Sequence, residues 1–332
     1  MNLNGSVAII LIAGNCALLL LLLSKNFDNL DVSTAQKEIS RPNVDGRNIY
    51  VTENIIKCGE KNDKVTEWSL LYTDSNGGNQ YGCKAVELLN WALALRSKEK
   101  KITSQNGEDG VLIEIFEKIG TKFKYFVEFG VEDGSQCNTR VFREQYGWKG
   151  AMFDNMHSNP TIGLHKTAMW VENVVQKFQE VAVPQQFDLL SVDTDFADFW
   201  LLREILQAGY SPRVIIVEVN VAPGPFASFT VPLERAKAHD MWHGNRWFGS
   251  SILALSKLVH AFGYQLLYVE SKVVNAIFVK SSEINNIDLA RVAWQRQLFE
   301  GLGYGIAHKP DDENRPFVHI CQRLPCNSSN DW

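Results

Sequence analysis

The chain lacks a basic excess. Its 33 lysines and arginines stand against 38 aspartates and glutamates, a formal net charge of -5. That balance offers no broad positive surface to a phosphate backbone, and no zinc-finger or RNA-recognition pattern is present, so nucleic acid is excluded as a partner. Cysteines and histidines are not clustered at the short spacings a structural zinc site needs. No internal repeat is visible, which removes solenoid and propeller architectures. Also missing is the three-glycine Gly-x-Gly-x-x-Gly pattern that cradles the pyrophosphate of a dinucleotide.

What is present is enough apolar material for a full-sized core, 45% hydrophobic and 11% aromatic residues, which sets aside disordered and fibrous classes. Val7 to Leu23 is an uncharged run ending in consecutive leucines, at the lower limit for spanning a bilayer as a helix. Met1 to Ser6 carry no lysine or arginine, so the run reads as an uncleaved membrane anchor in preference to a signal peptide. The expected organisation is an anchor over 1–24, a polar stem over 25–82, one catalytic-size domain over 83–310 and a tail over 311–332.

Orientation draws on opposing signals. Lys25, Lys37 and Arg41 follow the run and favour a cytosolic domain. The sequon Asn327-Ser328-Ser329 and the pairs Cys58 with Cys83 and Cys321 with Cys326 favour a lumenal one. The reading leans to a single-pass protein of the endoplasmic reticulum or Golgi with its domain in the lumen, and leaves a cytosolic domain, secretion, and reduced thiols as alternatives.

Within the domain, Ala85 to Leu95 is helix-forming, and Ser104-Gln105-Asn106-Gly107-Glu108-Asp109 precedes apolar positions at helical spacing through Ile119. Short apolar runs follow at Tyr125–Phe129, Gly150–Asp154, Phe187–Val192 and Val214–Val219, separated by helical stretches. Such a series predicts an α/β, Rossmann-like, mostly parallel sheet with helices on both faces, where ligands sit at the carboxyl ends of strands. Tyr264–Val269 and Ala276–Val279 flank Glu270-Ser271-Lys272 and read as an antiparallel edge.

The candidate chemistry lies at those strand ends. Glu128 is followed by Gly130 and Gly134, so an acid that accepts from a ligand amine or hydroxyl stands before a turn through which backbone approaches closely. About 20 residues on, Asp154 closes the next run, where a carboxylate can accept both hydroxyls of a ribose. An adenosine ligand without a pyrophosphate fits this pair. The plainer alternatives are a helix-capping Glu128 and an Asx-turn Asp154.

These features together resemble the FkbM-type family of S-adenosylmethionine (SAM) methyltransferases. The resemblance is carried by Ser104 to Gly110, by Phe126 to Gly134, by Asp188-Leu189-Leu190-Ser191-Val192-Asp193-Thr194-Asp195 with Asp198 and Trp200, by Val217-Glu218-Val219-Asn220, and by Phe248 to Ser251 through Asn275 to Val279. It implies a class I methyltransferase fold, SAM as methyl donor, Glu128 and Gly130 near the methionine part, and Asp154 near the ribose. Glu132 replaces a glycine common in the family, and Phe196-Ala197 replace the usual Gly-Asn.

Asp193, Asp195, Glu218 and Asn220 offer hard oxygens from neighbouring strand ends, a set suited to Mg²⁺ or Ca²⁺. Asp193, Asp195 or His243 would take the proton of an acceptor hydroxyl, with His239 as a further imidazole. The expected activity is O-methyl transfer to a hydroxyl of a glycan, lipid or small molecule, with the membrane met through residues 7–23. The alternative is an inactive methyltransferase-fold module for binding or trafficking in a secretory-pathway membrane.

Overall fold

The computed structural model describes residues 83–224, 227–287, 289 and 308–320. The apolar run at 7–23, the stem, the sequon, and the side chains of the expected cysteine pairs lie outside the described residues. Among the described residues no helix is long and apolar enough to cross a membrane, and Cys137 is a buried free thiol.

The chain alternates helix and strand. Helices α1 (Cys83–Ala94) and α2 (Glu108–Ile119) lead into strand β1 (Tyr125–Phe129), then α3 (Arg140–Tyr146), β2 (Lys149–Asp154) and β3 (Leu164–Lys166). Next come α4 (Val174–Glu180), β4 (Gln186–Val192), α5 (Asp198–Gln207) and β5 (Ser211–Glu218). The last part holds β6 (Phe229–Thr230), α6 (Leu233–Lys237), α7 (Ile252–His260), β7 (Tyr264–Val269), β8 (Asn275–Lys280) and β9 (Val318–His319).

Seven strands form one sheet in the order β3-β2-β1-β4-β5-β8-β7. Pairings from β3 through β5 are parallel, and β8 runs antiparallel to both β5 and β7. The antiparallel strand is thus inserted one place inside the edge, and β7 closes the sheet.

Alternation along each strand divides the core into two layers, because successive side chains point to opposite faces. Val127, Phe129, Phe153, Leu190, Val192 and Val217 pack with α4, α5 and α7. Phe126, Met152, Leu189, Val214 and Ile216 pack with α1, α2 and α3. Both faces being covered is why the strands read as continuous apolar runs.

Asp188 belongs to the sequence series that carries the resemblance, yet it sits at the opposite end of the sheet from the strand ends. Fully buried, it accepts backbone N–H groups of Lys122, Phe123 and Lys124 and pairs with Arg213 at 2.8 Å. Arg213 in turn donates to the carbonyls of Ile119 and Gly120 and pairs with Glu283 at 2.7 Å. This network fastens the β1, β4, β5 and β8 side of the sheet to the loop after α2.

The domain also extends past residue 310. β9 pairs antiparallel with β6, the Ile320 N–H donates to the Ser228 carbonyl at 2.8 Å, and Ile320 is fully buried. Residues 318–320, expected in a tail, are therefore part of the packed structure.

Candidate functional site

At the end of β1, backbone geometry sets the first element. Gly130 has φ +66° and its N–H donates to the Phe153 carbonyl at 3.1 Å. A Cβ there would fall well inside 3.0 Å of the Asp193 carbonyl oxygen, so only glycine lets the turns after β1 and β4 meet. Glu128, 3% exposed, accepts from the N–H groups of Asn138 (2.8 Å) and Thr139 (3.0 Å) and from the hydroxyls of Thr139 (2.5 Å) and Ser191 (3.1 Å). Burial raises its pKa, against the lowering effect of those four hydrogen bonds. The carboxylate ties the chain ahead of α3 to β1 and β4, the helix-capping alternative for this residue.

Asp154, at the end of β2, is engaged in the same manner. Its Oδ1 accepts the N–H groups of Met156 and His157, each at 2.8 Å, and faces His157 Nδ1 at 2.9 Å. Its Oδ2 accepts the Glu132 N–H at 3.0 Å. Burial works to raise its pKa, and the donors at Met156 and His157 outweigh it, leaving the carboxyl below its ordinary range. Glu132 itself is exposed with φ +49°, a left-handed conformation that L-residues other than asparagine and aspartate seldom adopt and glycine takes readily. Gly134 has φ +78° in the same turn, its N–H bonded to the Val131 carbonyl.

Between the ends of β1 and β4 lies a small polar cleft, its cavity about 30 Å³. Strand order reverses at this place, since β1 leads outward to β2 and β3 while β4 leads to β5; that is where open α/β sheets bind ligands. The lining combines Glu108, Glu128 and Asp193 with the amides Gln105, Gln136, Asn138 and Asn275, and holds no lysine or arginine among the described residues. Glu108 is fully buried and accepts from the Asn106 N–H at 2.8 Å and Asn275 Nδ2 at 2.8 Å.

Glu108 and Gln105 as cleft residues escape the sequence reading, which treats Ser104 to Asp109 as a helix start. The structure gives both roles: Asp109 gathers the N–H groups of Ile102, Thr103 and Ser104, and that tightened loop carries Gln105 and Glu108 to the cleft. Asp154 and Gly134 do not line it.

The carboxyl ends of β4 and β5 carry the second element. One oxygen from each of Asp193, Asp195 and Glu218 lies within 4.8 Å of the others. Asp198, fully buried at the start of α5, accepts the Thr194 N–H at 2.7 Å and hydroxyl at 3.0 Å on Oδ1. Burial, then the neighbouring Asp198 and Asp195 charges, pushes Asp193 well above the carboxylate range; burial, then Asp193, Asp198 and Asp195, does the same to Glu218. Burial lifts Asp198 to about 7 despite the Thr194 donors. Asp195 has φ +62°, and its pKa is raised by burial and lowered by the charge of His308.

Asn220 stands apart from this set. Its amide donates to the carbonyls of Arg246 (2.9 Å) and Phe248 (2.7 Å), and its Oδ1 accepts the Ala222 N–H (2.9 Å), so it braces the 246–248 segment.

The two expected imidazoles, His239 and His243, lie beyond the end of α6. His239 stacks on Trp170 with ring centroids 4.1 Å apart and pairs with Glu172. His243 is exposed and bonded to Asp240 at 3.1 Å. The imidazole felt by Asp195 is His308, held edge-on between Trp242 and Phe248. Nothing in the local sequence around His308 marks it, because tertiary packing alone brings it near the strand ends.

No family model matches the chain, and no curated protein does. Among solved structures, a putative O-methyltransferase from Klebsiella pneumoniae is similar at 12% identity and TM-score 0.32, covering 60% of this chain and 90% of that one. An O-methyltransferase from Bacillus cereus in complex with SAH is similar at 13% identity and TM-score 0.31, covering 60% of this chain and 92% of that one. Likeness this distant carries nothing about activity, and it is the sheet itself that makes the domain Rossmann-like.

Proposed function

We propose that the domain is a SAM-dependent O-methyltransferase acting on a hydroxyl of a glycan, lipid or small molecule. The observation that carries this reading is the cleft at the strand-order reversal, lined by three carboxylates and four amides without a basic side chain. A diphosphate would be repelled there, whereas a ligand bearing a sulfonium and an ammonium group meets complementary charge. At Gly130 the Asp193 carbonyl occupies the space a Cβ would take, which draws the ends of β1 and β4 together, and the acids and amides they carry suit the positive groups of the cofactor.

SAM, when bound, supplies an electrophilic methyl group. The protein's own part is to orient an acceptor hydroxyl and remove its proton. Asp193, Asp195 and Asp198, whose carboxyls all lie above their ordinary value through burial, are the groups to which that task falls, and the charge of His308 acts on Asp195. His243 is the weaker choice, being exposed and paired with Asp240. We place the domain in the lumen of the endoplasmic reticulum or Golgi behind a membrane anchor at 7–23; glycosidase sensitivity at Asn327 reads that orientation.

A second reading, the fold retained without activity, is favoured by one observation: Glu128 and Asp154 are already saturated by the protein's own donors. Calorimetric titration of S-adenosylhomocysteine into the full-length chain separates the two. Micromolar binding, lost in Asp193→Asn and Gln136→Ala, supports the transferase. No binding to folded protein supports the inactive module.

A further inference from the structure

We infer that the amino ends of β1 and β2 form a membrane-docking face, in which the exposed ring of Phe123 and the lysines Lys118, Lys124 and Lys149 rest on anionic lipid headgroups. The chain is acidic overall, with a net charge of -5, and the cleft at the carboxyl ends of the strands is lined by acids. The opposite end of the sheet departs from that balance. Lys118 stands in the last turn of α2, Lys122 and Lys124 in the loop before β1, and Lys149 at the first position of β2, all four exposed. Parallel pairing sets Lys149 beside Tyr125, and its N–H donates to the Lys124 carbonyl at 2.9 Å, so these two lysines share one edge. Lys122 pairs with Glu283, which Arg213 also holds. Among the described residues no carboxylate pairs with Lys118, Lys124 or Lys149.

Apolar surface accompanies the charge. Phe123 is 44% exposed, and Tyr146, the last residue of α3, is 43% exposed. The loop that carries Phe123 is held in place. Buried Asp188 accepts three successive N–H groups, from Lys122 at 3.2 Å, Phe123 at 2.8 Å and Lys124 at 2.6 Å. Lys124 has φ +50°, a left-handed conformation that lysine keeps only where its surroundings impose it. A buried carboxylate and an unfavourable backbone thus fix a loop that offers an aromatic ring to solvent between two lysines. Such a loop loses little conformational freedom on meeting a surface.

An anionic bilayer fits both features. Ammonium groups are drawn to its negative surface within a Debye length, and an apolar ring beside them enters the boundary between headgroups and acyl chains. A soluble polyanion would engage the lysines and leave the ring in water. The run at 7–23, read as an anchor, keeps a bilayer within reach of the domain. Docking by this face would turn the cleft toward solvent, because the two lie at opposite ends of the sheet. The proposal needs only anionic headgroups in the leaflet that the domain faces, on either side of the membrane. It rests on the anchor for nearness alone and not at all on methyl transfer.

The test is acetylation of the full-length chain with nanodiscs of phosphatidylcholine, with and without phosphatidylserine, read lysine by lysine in the mass spectrometer. With phosphatidylserine, Lys118, Lys124 and Lys149 should react at least roughly 5-fold more slowly, the worth of one lysine at an anionic surface, and high salt should remove the protection. Lys237 of α6, exposed beyond the carboxyl ends of the strands, should react alike in both lipids. The double variant Lys124→Gln, Lys149→Gln should weaken docking by roughly 25-fold, the product of two such losses, and so expose Lys118. Phe123→Ser should also lessen the protection of Lys118, which a purely ionic contact would not show. Co-elution with the discs at high salt reports the anchor separately. Equal reactivity of the three lysines in the two lipids, equal protection of Lys237, or undiminished protection of Lys118 in the folded variants overturns the inference. Protection by a soluble sulfated glycan without any from phosphatidylserine overturns it as well, in favour of a soluble partner.

Discussion

Replacing Gly130 by alanine tests whether the contact between the turns after β1 and β4 builds the site. Two effects add at this position. The first is conformational: with φ +66°, an L-residue costs about 1–2 kcal/mol relative to its preferred regions, offset in part by the smaller entropy of the unfolded alanine chain. The second is steric, because the new Cβ would fall well inside 3.0 Å of the Asp193 carbonyl oxygen and 3.2 Å from its carbonyl carbon. Backbone cannot swing aside as a flexible side chain can, and overpacking of this kind costs about 1–3 kcal/mol.

Gly147 separates the two effects. It has φ +67°, and a Cβ there meets nothing within 4 Å, so Gly147→Ala carries the conformational cost alone. At about 2–4 °C per kcal/mol for a domain of this size, Gly147→Ala should lower the melting temperature by only a few degrees. Gly130→Ala should lower it by roughly 5–15 °C, the sum of both effects on that scale. Differential scanning calorimetry of the two variants gives the comparison, and S-adenosylhomocysteine titration shows whether the displaced Asp193 also abolishes binding. Equal melting temperatures for the two variants would refute the close-approach argument.

Asp188→Ala removes one of the two carboxylates paired with the buried Arg213 and the acceptor of the Phe123 and Lys124 N–H groups at the far end of the sheet, which should destabilise the domain by about 3–5 kcal/mol in urea denaturation while the folded fraction binds ligand as the wild type does. A binding defect without a stability loss would contradict the structural role assigned to Asp188. Glu270 is almost fully buried, and burial lifts its carboxyl from 4.5 to about 7 despite hydrogen bonds from the N–H groups of Val274, Lys272 and Asn275. Because the folded state holds this proton more tightly than the unfolded one, its contribution is complete below 4.5 and is lost as pH rises through about 7. Stability of Glu270→Gln should therefore fall less steeply over that interval than that of the wild type, and parallel profiles would show that Glu270 does not titrate there.

Much of the architecture was legible in the chain because the physics behind it is local. Strands buried on both faces must be apolar throughout, so Gly150–Asp154 and Phe187–Val192 announce themselves, and the acids at their ends, Asp154 and Asp193, mark the face where ligands gather. Likewise, the turn around Glu270 to Lys272 signals the β7 and β8 hairpin. Pairing order was not legible: that β8 inserts between β5 and β7, or that β9 returns to β6, depends on contacts between segments far apart in sequence.

The same division runs through the site. Composition and spacing by themselves determined that the strand-end acids and Gly130 would share one region, since strand direction in a parallel sheet leaves no other arrangement. Only the tertiary structure decided what each group does there. It turned Glu128 and Asp154 inward onto backbone donors, engaged Asn220 with the 246–248 segment, left His243 in solvent, and brought Glu108 and His308 to the strand ends. Hydrogen-bond partners and burial are properties of the folded neighbourhood, and a residue's chemistry follows from them more than from its type.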